Sequence, residues 1–189
     1  MIAAGQPKVF VMIRRIPLIF LGALLSLGAT ASDDTDRQPI KVDLQEVVER
    51  QEVMPVDGIT VSGQPDEEAL AVFAASGYST VIDLRAPGED RGLDEAGVAE
   101  SLGLDYVQLP VRSGKDVSFD RARQLQSLID EADGPVLLHC GSGNRVGALL
   151  ALAKSLDGSS DEEALEYGRS AGLTRLEGKV KETLEQKEP

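Results

Sequence analysis

The chain has a single cysteine and a single histidine in 189 residues, and they are neighbours, His139 and Cys140. One cysteine excludes a disulfide within the chain. One His and one Cys cannot by themselves build a structural zinc site, and no nucleotide-binding glycine pattern is present. The sequence therefore asks for no metal and no cofactor. Basic residues are also scarce, 19 Lys and Arg against 32 Asp and Glu, for a formal charge of −13. That balance argues against nucleic acid and anionic membrane surfaces as partners. The apolar run Ile16 to Leu27 is too short to span a membrane comfortably.

That run has another reading. Arg14 and Arg15 precede it, and the small residues Ala29-Thr30-Ala31 follow it, before Ser32. This is the layout of a secretory signal peptide over residues 1–31, with Met12 as an alternative start. It places the protein in the periplasm or outside the cell; an uncleaved N-terminal anchor is the competing reading. Cleavage removes Lys8, Arg14 and Arg15 and no acidic residue, so the mature chain is more acidic still. It also leaves no stable membrane insertion. Residues 32–57 read as an N-terminal linker with a short helix: polar and disordered to residue 40, helical from Lys41 to Val53, stopped by Pro55 and Gly58. Residues 58–189 remain as one domain, long enough for a real core. In an oxidising compartment its free thiol is either buried and inert or deliberately reactive.

The surroundings of Cys140 favour reactivity. Pro135-Val136-Leu137-Leu138 leads in as a strand, and Val146 to Lys154 leads out as an apolar helix. Between them lie Gly141, Ser142, Gly143 and Asn144. A strand, a tight glycine-containing loop and a helix N-terminus form an anion cradle, with backbone N–H groups and the helix dipole favouring a thiolate. Arg145 closes the loop with a planar, permanently charged fork suited to an oxyanion. Cys140 thus reads as a nucleophile on an anionic group, with Gly141, Ser142, Gly143 and Asn144 holding phosphate through the loop. For His139 two readings stand: it supports the loop or the thiolate, or it is a core histidine, since adjacent strand residues face opposite ways.

Elsewhere strands alternate with helices. Strands are expected at 59–63, 80–84, 106–109 and 135–139, and helices at 67–76, 94–102, 119–132, 161–171 and 173–186. That order implies an α/β fold: a mainly parallel central sheet flanked by helices on both faces, with the Cys loop between a strand and a helix. Ligands of such sheets gather at the carboxyl ends of the strands. The loops after Leu84, after Leu109 and around Cys140 should meet there.

Three stretches carry a resemblance: Ile59-Thr60-Val61-Ser62-Gly63-Gln64-Pro65, then Val81-Ile82-Asp83-Leu84-Arg85 with Glu89, then His139-Cys140-Gly141-Ser142-Gly143-Asn144-Arg145. Over residues 58–155 the chain resembles the beta-lactamase-hydrolase-like, phosphatase-like domain family, within the cysteine-dependent tyrosine and dual-specificity phosphatase superfamily. The resemblance implies a phosphatase-like fold and a small anionic or phosphorylated substrate. Two features depart from the wider superfamily. Four residues separate Cys140 from Arg145 instead of five, a spacing that also resembles the loop of rhodanese-type sulfurtransferases. The aspartate general acid of dual-specificity phosphatases has no direct counterpart; Asp116 is the nearest carboxylate and the candidate acid. Arg85 either shapes the rim of the cradle or pairs with Glu89. Ser142 either donates to the leaving thiolate or rigidifies its loop.

The leading expectation is an exported cysteine-dependent phosphatase-like hydrolase. A sulfurtransferase carrying a persulfide on Cys140 is the first alternative. A non-catalytic anion-binding or redox-sensing protein is the second.

Overall fold

A computed structural model describes residues 38–53, 59–112 and 114–187. The signal-peptide assignment and the helix breakers Pro55 and Gly58 lie outside the described residues. Five strands form one sheet: β1 (Ile40–Lys41), β2 (Thr60–Ser62), β3 (Thr80–Asp83), β4 (Asp105–Gln108) and β5 (Val136–His139). Their spatial order is β1-β2-β5-β3-β4, and every pairing is parallel. Seven helices are described: α1 (Leu44–Arg50), α2 (Glu67–Ala75), α3 (Glu95–Ser101), α4 (Phe119–Asp130), α5 (Asn144–Leu156), α6 (Asp161–Ser170) and α7 (Glu177–Leu184).

The strands are short, apolar and buried on both faces where they are central, as β-rich runs in a parallel sheet must be. Alternation sorts their side chains. Val81 and Leu137 join Val47, Leu70 and Phe73 under α1, α2 and α3. Ile82, Leu138 and Cys140 face the other way and join Leu125, Leu149 and Leu152 under α4 to α7. α5 is apolar nearly all round because it lies between the sheet and the outer helices. The run Asp-Glu-Glu-Ala-Leu occurs twice, at residues 66–70 and 161–165, and begins two ordinary helices one position out of step. Asp66 caps α2, whereas Ser160 caps α6 and Asp161 is already helical.

Several expected boundaries move by a residue or more, and the helix expected from Lys41 to Val53 is confined to Leu44–Arg50. The segment read as linker contributes an edge strand: the Ile40 N–H reaches Ile59 O at 2.8 Å and the Val42 N–H reaches Val61 O at 2.9 Å. Too short to be seen as a strand in the sequence, this pair of residues exists because β2 offers it a ladder. The last helix starts at Glu177, not Leu173. The preceding backbone donors are taken elsewhere, Leu173 N by Gly168 O and those of Thr174 and Leu176 by the Asn144 side chain.

α5 and α6 touch backbone to backbone. A Cβ on Gly147 would lie 2.4 Å from Leu173 N and 2.5 Å from Gly168 O. Gly147→Ala is therefore expected to destabilise the protein by about 3 kcal/mol, the upper end for overpacking against backbone that cannot yield. The better helix propensity of alanine, about 1 kcal/mol, acts in the opposite direction and is smaller. Denaturant unfolding measures the difference.

Candidate active site

β5 is the central strand, so its carboxyl end lies beside those of β2 and β3. Ser62, His139 and Asp83 share one row of the sheet. Cys140 follows, only 1% exposed, at the floor of the loop that turns into α5. Gly143 makes the turn with φ +84°, a conformation costly for any residue with a Cβ. Gly141 does not use that freedom; a side chain there would approach the Arg145 guanidinium, 3.6 Å from Nη2. The Gly147 N–H bonds Gly143 O, so the amides of Asn144, Arg145 and Val146 have no partner within the helix. The loop therefore leads into a helix N-terminus with open backbone donors at Asn144, Arg145 and Val146.

Arg145 folds back over the loop. Its Nη1 donates to Glu89 Oε1 at 2.5 Å and to Val111 O at 3.2 Å, and its Nη2 donates to Glu89 Oε2 at 2.8 Å. The three loops expected to converge do so here, after β3, after β4 and after β5. A guanidinium carries five N–H donors. These contacts use three and leave the Nε–H and one Nη2–H, which share the adjacent edge of the plane. Glu89 thus holds one fork, while Nη2 lies on the Gly141 side of the loop and the guanidinium interacts with the Cys140 side chain. The hydrogen bonds to Glu89, then the proximity of the Cys140 sulfur, push the Arg145 pKa further up.

Glu89 is pulled down to about 2 by the hydrogen bonds from Arg145, against a partial desolvation, with help from the Ala86 N–H. Its folded-state pKa is depressed. The stability it contributes is present above the ordinary value of 4.5 and is lost only as pH falls through about 2. Arg85 pairs with Glu89 at 3.2 Å, and also with Gln64 and Asp90 O. Of its two readings the contacts are those of pairing, and through Glu89 it braces Arg145. The sequence pointed to Glu89 as a partner of Arg85 and missed its bond to Arg145, 56 positions away.

Asn144 contributes its backbone to the loop, but its buried side chain turns away from it toward the segment before α7. Oδ1 accepts from Thr174 N at 2.8 Å, Thr174 Oγ1 at 3.1 Å and Leu176 N at 3.3 Å. The Ser142 side chain is exposed and has no hydrogen-bond partner among the described residues; its backbone bridges to Gly63. Asp116 lies at the end of a 3-10 turn (Gly114–Asp116), where its Oδ2 accepts the Arg112 N–H at 2.7 Å. It closes its own loop, the loop whose Val111 carbonyl holds Arg145.

His139 points to the opposite face from Cys140, into a buried ionic network that the sequence did not reveal. Its Nε2 lies 2.9 Å from Glu95 Oε1 and 3.7 Å from Asp83 Oδ1, all three side chains fully shielded. No directed hydrogen bond reaches either ring nitrogen or Glu95 Oε1 among the described residues. Of the two readings of His139 the structure shows the core histidine, with carboxylates beside its ring. Arg91 grips Asp83 Oδ2 through Nε at 2.8 Å and Nη2 at 2.6 Å, and the Tyr106 hydroxyl donates to the same oxygen at 2.9 Å. Burial pushes the Tyr106 phenol up, which keeps it a donor. One atom each from Asp83, Glu95 and His139 fall within 4.8 Å of one another, a donor set of metal-ligand type that the sequence reading had not foreseen. The cation seated on these carboxylates is Arg91, 2.6 Å from Asp83 and 3.6 Å from Glu95. The i, i+4 pair of Arg91 and Glu95 was the available sequence signal.

Known proteins resemble this chain over the span that carries the site. Residues 53–157, more than half of the chain, match the family described as beta-lactamase hydrolase-like protein, phosphatase-like domain. The beta-lactamase hydrolase-like protein of Agrobacterium fabrum (strain C58) is 33% identical over 120 residues, covering 61% of this chain and 28% of that protein. Its counterpart in Xylella fastidiosa (strain Temecula1) is 35% identical over 112 residues, covering 57% and 26%. The chain spans about a quarter of the length of these relatives. The crystal structure of a candidate phosphatase from Neisseria meningitidis superposes with a TM-score of 0.57 at 20% identity, covering 66% of this chain and 92% of that one, and shows the shared fold. The matched span holds the strand, the loop and the helix that carry Cys140 and Arg145, and the chain belongs to the beta-lactamase hydrolase-like protein, phosphatase-like domain family.

Proposed function

We propose that this protein is a cysteine-dependent phosphatase acting on a phosphate ester. The observation that carries the reading is the double use of Arg145. Glu89 and Val111 take three of its N–H groups, and the same guanidinium interacts with the Cys140 side chain, leaving donors on the Cys140 side for an oxyanion in this reading. The Cys140 thiolate attacks phosphorus and the P–O bond to the leaving group breaks. The loop amides and the free Arg145 fork stabilise the charge on the equatorial oxygens. The leaving oxygen takes a proton from an acid or from water. A water then attacks the phosphocysteine, the P–S bond breaks, and inorganic phosphate and the thiolate return.

The test is turnover by the purified protein of an aryl phosphate, and separately of thiosulfate with cyanide as acceptor. Phosphate release without thiocyanate supports the proposal. Thiocyanate formation with no phosphate release overturns it in favour of sulfur transfer.

Asp116 is the proposed acid, supported by its place on the loop that clamps Arg145. Asp116→Asn keeps an acceptor for the Arg112 N–H and removes only the proton. The variant is expected to lose roughly 10²-fold on esters with poor leaving groups and little on activated ones. Rates across aryl phosphates of varied leaving-group pKa measure this, and an unchanged slope removes Asp116 from the mechanism.

Export is part of the proposal, supported by Arg14, Arg15, the apolar run and Ala29-Thr30-Ala31. Intact mass of the protein recovered from cells should show residues 1–31 removed; a full-length mass in the cytoplasm overturns it.

A further inference from the structure

One cation touches the cradle loop from outside the family's matched span. Lys41, in edge strand β1, donates from Nζ to Ser142 O at 3.2 Å. Its stem lies across two left-handed glycines. A Cβ on Gly172 would meet Lys41 Cδ at 3.3 Å, and one on Gly143 would meet Cε at 3.4 Å. The absence of side chains at both positions opens the path by which the lysine reaches the loop. Among the described residues Lys41 has no carboxylate partner; its neighbour Asp43 is committed to capping α1 through the Gln45 and Glu46 amides.

We infer that Lys41 is a positioning residue for the cradle, acting through the Ser142–Gly143 peptide, with its charge offsetting the acidity of the rest of the chain at the mouth of the loop. This role rests on the reading of residues 140–145 as an anion cradle. A trans peptide is planar, so its C=O and N–H point in opposite directions. Anchoring the Ser142 carbonyl on Lys41 fixes the direction of the Gly143 N–H and so the entry of the loop into the open amides of Asn144, Arg145 and Val146. The charge has a second effect. The chain carries −13 overall and repels anionic substrates at long range. An ammonium beside the loop, with no carboxylate partner among the described residues, works against that repulsion where the substrate enters.

The test compares two alkylating probes on Cys140 in the full chain at low ionic strength: iodoacetate, an anion, and iodoacetamide, its neutral analogue. Lys41→Met is expected to lower the iodoacetate to iodoacetamide rate ratio by roughly three- to tenfold. Lys41→Arg should retain the ratio, and added salt should shrink the difference. On an aryl phosphate, Lys41→Met should raise KM more than it lowers kcat. An unchanged ratio in Lys41→Met, or a loss as large in Lys41→Arg, overturns the inference. If Lys41→Met does not fold, Lys41→Gln removes the charge and keeps a polar side chain, with the same expected ratio. The alkylation ratio needs no turnover. A wild type inactive on phosphate esters that still shows the Lys41 effect would therefore sink the phosphatase reading and leave this one standing.

Discussion

Cys140→Ser is expected to lower turnover of an aryl phosphate by on the order of 10⁴-fold or more, because the hydroxyl is a poor nucleophile at neutral pH and a poor leaving group in the second step. The substitution is nearly isosteric in a position that is 1% exposed. Its structural cost is about 1 kcal/mol, a shift in Tm of roughly 2–4 °C. Paired kcat and thermal-unfolding measurements separate the two effects. Acid quenching of the wild type during turnover of a radiolabelled substrate should trap label on the protein, and Cys140→Ser should trap none. A variant that keeps its activity would place the nucleophile elsewhere.

Arg145→Lys should cost less than Cys140→Ser but still heavily, although it keeps the charge. Lysine offers three donors on a flexible stem and no planar edge, so it cannot hold Glu89 and Val111 on one side and an oxyanion on the other. Loss of an organised oxyanion donor is worth about 3–4 kcal/mol, or roughly 10²- to 10³-fold in kcat/KM. Glu89→Gln is the informative comparison. It leaves the guanidinium in place and weakens only its brace, so its effect should be smaller and fall mainly on Arg145 orientation. If Arg145→Lys retains near-full activity, the arginine acts as a diffuse charge and the fork geometry is irrelevant to the reaction.

Much of this architecture was legible in the chain. Alternating apolar strands and capped helices announce a parallel sheet covered on both faces. Asp66 and Ser160 start helices through local hydrogen bonds that short-range sequence can show. The candidate nucleophile was legible for the same reason: strand, loop and helix follow one another within about ten residues, so Cys140 and Arg145 are neighbours before any folding. The alternation rule also foretold that His139 and Cys140 would face opposite ways.

The amino-acid sequence by itself determined the fold class, the strand-loop-helix unit at Cys140 and the family, because each is written in contiguous residues whose backbone geometry follows from local propensity and hydrophobic period. Tertiary structure alone decided the rest. It gave Glu89 to Arg145 across 56 positions, and Lys41 to Ser142 across 101. It gathered Asp83, Glu95, Arg91 and His139 from two strands, a loop and a helix into one buried network. It turned Ile40–Lys41 into a strand by offering the edge of β2. Charges cannot signal such partners along the chain. Their pairing depends on which strand carboxyl ends the order β1-β2-β5-β3-β4 sets side by side, and that order comes from burying two apolar faces at once, not from any one segment.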